Sequence, residues 1–240
     1  MSTPSEPSRS THLHYLEHAL SLARLSPPKP TNFRVGCVLV SFPADSHATP
    51  NGADKHDGEI LATGYTLELE GNTHAEQNAL TKLAGTHGVS LQERGEEALN
   101  EILTSEKNVY LYTTLEPCGL RLSGATPCVH RIIATRQGNA AGGVRKVIFG
   151  AREPGTFVQD SQSLRVLDEA GVPWEYVSGL DEEILNVAKE GHVEQVFGDG
   201  KVEGKKAGTN VDEISPEERR RQEQQPRNPK KRMMEVDLSR

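Results

Sequence analysis

Short apolar, β-branched runs alternate with segments of helical periodicity along most of this chain, and no other feature constrains its fold as strongly. Such runs predict buried strands, and apolar residues recurring every three or four positions predict helices. The first two runs form a hairpin, whereas helices separate the later ones, which are therefore expected to be parallel. The sequence predicts an α/β sandwich with a mixed five-stranded sheet. The predicted strands are 35–42, 59–66, 108–114, 144–150 and 173–177, and the predicted helices are 11–25, 74–84, 126–136, 164–170 and 181–190.

The two ends of the chain differ in composition from the segment between them. Residues 1–10 and 199–240 lack aromatic residues and apolar periodicity, and such sequence cannot bury enough surface to offset chain entropy. We therefore predict one folded domain over 11–198, a flexible N-terminal tail and a charged C-terminal tail. Part of the C-terminal tail, 215–225, opens like a helix, and a solvated charged segment is the other interpretation.

Charge and cysteine content exclude several kinds of protein. The chain has 27 Lys and Arg against 34 Asp and Glu, and a net charge of −7 disfavours a protein that coats nucleic acid. Three cysteines are too few for a secreted disulfide scaffold, and no apolar stretch is long enough for a signal peptide or a bilayer span. We expect a cytoplasmic protein with no membrane partner. The basic runs 219–221 and 230–232 are most simply solvated, although they also suit nuclear entry or folding back over the acidic body.

Three short motifs stand at junctions between predicted strands and helices. His74-Ala75-Glu76 opens the second helix, Pro117-Cys118 follows the third strand, and Pro127-Cys128 opens the next helix, with Thr126 as its expected N-cap. In α/β sheets, ligands bind outside the carboxyl ends of the strands, and helix N-termini there add N–H donors. We therefore expect the three motifs to meet at one edge of the sheet.

His74, Cys118 and Cys128 supply a ligand set that is typical of catalytic zinc. We predict one Zn²⁺ per chain, with a fourth position left for a water molecule whose pKa the metal lowers. Glu76, two residues after His74, is placed to carry a proton between that water and a leaving amine without binding the metal. His-x-Glu followed by Pro-Cys and a further Cys is the pattern of zinc-dependent nucleobase deaminases.

Each motif also has a simpler structural interpretation. Thr73 and Glu76 fit a capping box, in which the carboxylate only reaches back to the Thr73 N–H. A buried cysteine is usually an inert small apolar residue. A non-catalytic module with structural zinc is a further alternative, but it requires a fourth protein ligand, for which His130 is the nearest candidate. The conjunction of the three motifs in this order favours the catalytic site.

The spacing of Cys118 and Cys128 indicates which kind of zinc-dependent deaminase the chain resembles. Nine residues separate Cys118 from Cys128, where deaminases of nucleic acids and nucleosides usually have two. Residues 113–118 (TTLEPC), this long insertion and residues 126–128 (TPC) resemble the pyrimidine deaminases of riboflavin biosynthesis. Further segments are similar to the fungal branch of that family, namely 32–36 (NFRVG), 64–77 (GYTLELEGNTHAEQ) and 121–124 (RLSG).

This resemblance implies a cytidine deaminase-like, three-layer α/β/α fold. It implies hydrolytic loss of the 2-amino group from 2,5-diamino-6-ribitylamino-4(3H)-pyrimidinone 5′-phosphate, which gives the 5-amino-6-ribitylamino-uracil phosphate and ammonia. It assigns zinc binding to His74, Cys118 and Cys128 and the proton shuttle to Glu76. Deaminases of this fold often assemble, so a homodimer is also expected. A deaminase of tRNA adenosine or of a free nucleoside is the alternative, but the cysteine spacing and the acidic body argue against it.

Five further residues are candidates for substrate binding. Asn32 matches an asparagine that contacts the pyrimidine or its side chain in the family, and Thr66 and Asn72 lie on the segment that lines the ring pocket. Asn32 and Asn72 could equally be turn or loop residues. Arg121 and Ser123, in the insertion, are candidates for the phosphate and ribityl hydroxyls, because a guanidinium grips phosphate oxygens bidentately. An exposed arginine is the competing interpretation of Arg121.

Overall fold

The computed structural model describes residues 6–42, 58–138, 142–154 and 162–192. All of them belong to the first of the two units of the chain, residues 1–201. The second unit, residues 202–240, lies outside the described residues, and so does the whole of the predicted C-terminal tail with its candidate helix at 215–225.

A mixed sheet in the order β2-β1-β3-β4-β5 forms the middle of the described fold. β1 is antiparallel to both β2 and β3, whereas β3, β4 and β5 are parallel. These pairings confirm the predicted opening hairpin and the later parallel strands. Each predicted strand end also lies within about one residue of the observed end. The strands are β1 (Gly36–Ser41), β2 (Glu59–Tyr65), β3 (Val109–Leu115), β4 (Val144–Ala151) and β5 (Trp174–Tyr176).

Helices cover both faces of this sheet, so the predicted three-layer architecture is confirmed. On one face, α1 packs its apolar side against Val38 and Tyr112, and α6 lies beside it against the end of β4. On the other face, α2, α4 and α5 surround Leu39 and Leu111. The helices are α1 (Arg9–Ala23), α2 (Ala75–Thr86), α3 (Leu91–Arg94), α4 (Cys128–Ala134), α5 (Ser163–Glu169) and α6 (Asp181–Ala188), with 3-10 helices at Glu96–Glu101 and Ser105–Lys107.

Two glycines set how closely the helices approach the sheet. A Cβ on Gly36 would overlap the backbone of Ala19 in α1. A Cβ on Gly64 would overlap the backbone of Ala75 and Ala79 in the first turns of α2. Because only a residue without a side chain fits at Gly64, the start of α2 lies directly against β2.

The starts of two helices differ from the prediction. α1 begins at Arg9 because Ser8 is its N-cap, with the Ser8 hydroxyl accepting a hydrogen bond from the Thr11 N–H at 3.2 Å. Residues 9 and 10, predicted as tail, are therefore helical. α4 begins at Cys128, and the prediction of Thr126 as its N-cap was wrong. Pro127 takes that position because its ψ of 154° is extended and cannot continue a helix.

Candidate active site

The start of α2 presents His74 and Glu76 to the sheet edge. His74 is the N-cap of α2 in an extended conformation, and its side chain makes no capping bond. The capping box predicted as the alternative does not form, because the Thr73 hydroxyl donates to the Leu69 carbonyl at 3.1 Å and Glu76 turns toward Cys128. Both side chains are thus available for chemistry rather than for helix capping.

The three predicted metal ligands converge. His74 Nδ1 lies 3.5 Å from Cys118 Sγ and 3.5 Å from Cys128 Sγ, and all three ligand atoms lie within 4.8 Å of one another. Cys118 stands three residues past the end of β3, and Cys128 is the first residue of α4. The sheet edge therefore brings together ligands from three separate elements, as the motif positions predicted.

This donor set fits a zinc ion. Imidazole nitrogen with two thiolates is an established catalytic ligand set, and two thiolates balance the charge of Zn²⁺. The interactions with the Cys128 side chain and then with His74 lower the pKa of Cys118. The Cys128 N–H also donates to Cys118 Sγ at 3.4 Å, as expected for a thiolate at a helix N-terminus.

The cluster of described residues contains three protein ligands and no fourth. His130, the nearest candidate from the sequence, is exposed on α4 and does not join the cluster. A structural zinc site is normally closed by four protein ligands, whereas a catalytic site keeps one position open. The geometry therefore favours a catalytic zinc site over a purely structural one.

Glu76 is buried beside the ligands, with only 3% of its surface exposed. Its Oε2 accepts a hydrogen bond from the Cys128 thiol at 3.3 Å, and its Oε1 accepts one from the Thr113 hydroxyl at 3.4 Å. Burial, followed by the charge of Cys118, raises the pKa of Glu76 above that of an ordinary carboxyl. A raised pKa is what a group needs to take up and return a proton near neutral pH.

A cavity of about 150 Å³ opens onto this cluster. All five predicted substrate-binding residues line it, together with His74, Glu76 and Cys118. The structure thus brings the predicted contacts and two of the three predicted metal ligands, His74 and Cys118, to one pocket. The remaining lining residues are Thr31, Phe33, Val35, Leu115, Glu116, Leu120, Leu122 and Glu153.

Asn32 and Asn72 meet at the rim of the pocket. The Asn32 amide donates from Nδ2 to Asn72 Oδ1 at 2.8 Å, and Asn32 Oδ1 accepts from the Thr31 hydroxyl at 2.8 Å. Thr66 is nearly buried, and its hydroxyl accepts a hydrogen bond from the Val35 N–H at 3.1 Å. These contacts hold the rim in a fixed arrangement around the pocket.

Arg121 is buried rather than exposed, with 7% of its surface accessible. Its guanidinium donates to Gln77 Oε1 at 3.0 Å and to the Asn72 carbonyl at 2.5 Å. The alternative of an exposed arginine was therefore wrong. Through these two bonds Arg121 joins the long insertion to the segment before α2, while it also lines the pocket. Ser123, in the same insertion, is exposed.

Three residues near the site were not predicted from the sequence. Thr113 holds Glu76, and Glu116 and Glu153 line the pocket. Glu116 is one residue past the end of β3 and Glu153 is two residues past the end of β4, and these two strands are parallel neighbours. Both glutamates could have been predicted as pocket residues from the sequence, because ligands bind at the carboxyl ends of parallel strands.

The sequence profile of the cytidine and deoxycytidylate deaminase zinc-binding region matches residues 9–144, more than half of the chain. The chain belongs to this family, and the cluster of His74, Cys118 and Cys128, which could hold a metal ion, lies within the matched residues. No helix among the described residues is long and apolar enough to cross a lipid bilayer.

Within this family the chain is similar to deaminases of known structure and name. It is 47% identical to Aspergillus oryzae Rib2 deaminase, crystallised as a C-terminal deletion mutant in complex with DARIPP, with a TM-score of 0.65 over 76% of this chain and 92% of that chain. The same mutant at pH 4.6 is 48% identical, with a TM-score of 0.65 over 75% and 92% of the two chains.

A curated relative comes from Schizosaccharomyces pombe, strain 972. This diaminohydroxyphosphoribosylamino-pyrimidine deaminase is 28% identical over 181 residues, which are 75% of this chain and 36% of the relative. The chain therefore spans about a third of the length of this relative.

Proposed function

We propose that this chain catalyses the zinc-dependent hydrolytic deamination of 2,5-diamino-6-ribitylamino-4(3H)-pyrimidinone 5′-phosphate. The products are the 5-amino-6-ribitylamino-uracil phosphate and ammonia, in a step of riboflavin biosynthesis. One observation carries the proposal. A buried carboxyl with a raised pKa, Glu76, lies against the cluster of His74, Cys118 and Cys128 at the floor of a pocket. The similarity to Rib2 deaminase and to the pyrimidine deaminase of S. pombe supports this choice of substrate.

Zinc, when bound to His74, Cys118 and Cys128, supplies the Lewis acidity that makes water nucleophilic near neutral pH. Glu76 takes the proton that this water loses and returns it to the departing exocyclic nitrogen, so the amine leaves as ammonia. The hydrogen bond from Thr113 holds Glu76 Oε1 in place, which leaves Oε2 directed toward the cluster. Burial of Glu76 keeps competing bulk water away from the transferred proton.

Asn32, Thr66, Asn72, Arg121 and Ser123 bind the substrate in this proposal. The two asparagines and Thr66 face the ring and its side chain, and the insertion carrying Arg121 and Ser123 faces the ribityl phosphate. Their common position around one pocket supports this assignment. The guanidinium of Arg121 already holds the Asn72 carbonyl, so contact with a phosphate oxygen would link substrate binding to the position of the rim.

The wider context of the proposal follows from the sequence. The catalytic domain is the predicted segment 11–198, extended by residues 9 and 10 at the start of α1, between an N-terminal tail and a charged C-terminal tail. The partner is a small pyrimidine phosphate, and neither nucleic acid nor a membrane takes part. We place the enzyme in the cytoplasm as a homodimer, and the basic runs of the C-terminal tail leave nuclear entry open.

Ammonia release by the zinc-loaded full chain tests the proposal. The ribitylamino pyrimidine phosphate is compared with its ribosylamino counterpart, and Glu76→Gln serves as the variant without a proton carrier. We expect turnover of the ribitylamino compound and a loss of at least about a hundredfold in kcat in the variant. No ammonia from either compound, with one zinc bound per chain, would refute the proposal. In that case tRNA adenosine and free nucleosides are the next substrates to assay.

A further inference from the structure

The pocket contains a second, partly buried acid that the mechanism above does not use. Glu153 stands two residues past the end of β4 and lines the cavity together with Glu76 and Cys118. Its Oε2 atom is buried and has no hydrogen-bond partner among the described residues. A buried acceptor without a donor is costly, so its presence in a ligand pocket needs an explanation.

The other acids of the pocket do not share this property. Both oxygens of Glu76 accept hydrogen bonds, as described above. Glu116 accepts a hydrogen bond from the Ser163 hydroxyl on Oε1, and its Oε2 lies 3.6 Å from the Arg152 guanidinium. Glu153 alone among these three carboxyls keeps a buried oxygen without a donor in the described structure.

The charged neighbours of Glu153 in the pocket also set it apart from the other acids. Burial raises the pKa of Glu153 to about 8, and the negative charges of Cys118, Glu116 and Glu76 contribute in that order. Arg121 is the one guanidinium or ammonium group in the described lining, and it is bonded to Gln77 and Asn72. No described cation of the lining is therefore left to neutralise Glu153.

The position of Glu153 indicates which part of a ligand it meets. Leu115 in β3 and Ala151 in β4 are paired, so the segments that follow them, with Cys118 and Glu153, leave the sheet side by side. Cys118 and Glu153 both line the same cavity. In the proposed function Cys118 would hold the zinc, and the reacting carbon of the substrate would lie beside it. Glu153 therefore lies on the side of the pocket where the exocyclic amine is lost.

We propose that Glu153 is a specificity-determining residue that recognises the amidine edge of the pyrimidine, accepting hydrogen bonds from a ring N–H and from the exocyclic amine. This inference rests on the proposed function. An amidine edge presents two parallel N–H donors, and a carboxylate presents two acceptors with matching spacing. These donors favour the ionised form of Glu153, so the carboxyl that is protonated in the empty pocket releases its proton to solvent when the ligand binds. The deaminated product has a carbonyl oxygen in place of the amine. That oxygen would oppose the carboxylate, which favours release of the product.

Binding and kinetics of two variants test the inference. Glu153→Gln keeps the shape of the side chain but replaces one acceptor with a donor, and Glu153→Ala removes both acceptors. Glu93→Gln makes the same chemical change at an exposed position of α3 and serves as the matched control. Steady-state KM and kcat are measured with the zinc-loaded full chain, and the zinc content of every variant is determined.

A second ligand identifies the edge that is recognised. The affinity for the pyrimidine phosphate and for its analogue with hydrogen in place of the 2-amino group is measured by calorimetry in a Glu76→Gln background, which prevents turnover. We expect Glu153→Gln and Glu153→Ala to weaken binding of the full ligand at least about tenfold. The loss for the analogue should be several times smaller, because one of the two donors is already absent.

The outcomes separate the inference from the proposed function. If the unaltered enzyme does not deaminate the substrate, the proposed function fails and this inference fails with it. If the unaltered enzyme turns over but both Glu153 variants keep its KM and affinity, the inference alone is wrong. Equal losses for the two ligands, or loss of zinc from the variants, would also overturn it. Glu153 would then support the pocket or the metal instead of reading the amidine edge.

Discussion

Replacing Gly64 by alanine adds one methyl group to β2 at the point where α2 packs against it. The effect of this substitution on stability and metal binding can be predicted from the packing. The new Cβ would stand 2.6 Å from the Ala79 nitrogen and 3.2 Å from the Ala79 Cα, and closer still to the Ala75 carbonyl oxygen. All of these are backbone atoms, so no side chain can rotate away. Relief requires α2 to move on the order of 1 Å from the sheet, because interiors are close-packed.

Two effects of Gly64→Ala are expected. Overpacking of this kind costs about 1–3 kcal/mol, which lowers Tm by about 4–8 °C for a loss of about 2 kcal/mol in a domain of this size. The displaced helix also carries His74, so zinc affinity should fall at least about tenfold, as measured by competition with a chromogenic chelator.

Gly85→Ala is the matched control for this prediction. Gly85 lies near the other end of the same helix, and a Cβ there meets no atom within 4 Å. An alanine in a helix is favoured over glycine by about 1 kcal/mol, so this variant should melt at or above the temperature of the unaltered protein and keep its zinc affinity. A Gly64→Ala protein that matched Gly85→Ala in both measurements would refute the packing argument.

Three further predictions concern Glu76, the metal ligands and the face of the sheet opposite the site. Thr113→Val removes the donor to Glu76 Oε1 at nearly constant volume, so kcat should fall about five- to tenfold with little change in KM; an unchanged kcat would contradict this. After zinc removal by a chelator, Cys118 should be alkylated by iodoacetamide before the other two cysteines, whose pKa is raised, as peptide mass mapping would show; simultaneous labelling would contradict it. Burial lowers the pKa of His12. As the pH falls below about 6.5, the unfolded chain therefore binds a proton that the folded chain does not, and the free energy of unfolding should decrease by up to about 1.4 kcal/mol for each unit that the pH falls. A His12→Asn protein with the same pH slope as the unaltered protein would refute the last prediction.

The convergence of the three candidate metal ligands was predictable from the sequence because each stands in a short motif at a strand–helix junction. His74, Cys118 and Cys128 are recognisable together, and the order of the elements already places such junctions at one edge of the sheet. The strands were predictable for a similar reason, since their β-branched runs are short and bounded by turns. Helix starts were less certain, because the capping hydroxyl of Ser8 and the extended backbone of Pro127 set them, and neither is visible in the apolar periodicity.

The contacts of the pocket were harder to predict. The insertion that carries Arg121 has no periodicity, so nothing in the sequence indicates that its guanidinium reaches Gln77 and the Asn72 carbonyl. Glu153 stands alone in a turn-like segment before Pro154, and it becomes informative only when the pairing of β3 with β4 places it beside Cys118. Both positions depend on contacts between segments that are far apart in the sequence, and local sequence patterns do not encode such contacts strongly.

The placement of the ligands on separate elements also affects how the chain folds. His74 and Cys118 are 44 residues apart, and His74 and Cys128 are 54 residues apart. Closing a 44-residue loop in an unfolded chain costs about 4 kcal/mol of entropy, by the relation used for cross-links. In the folded chain, the pairing of β1 with both β2 and β3 already brings the ligands together, so formation of the sheet offsets this cost. We therefore expect zinc to act as a late cross-link between the hairpin half and the parallel half of the sheet, which should slow unfolding more than it speeds folding.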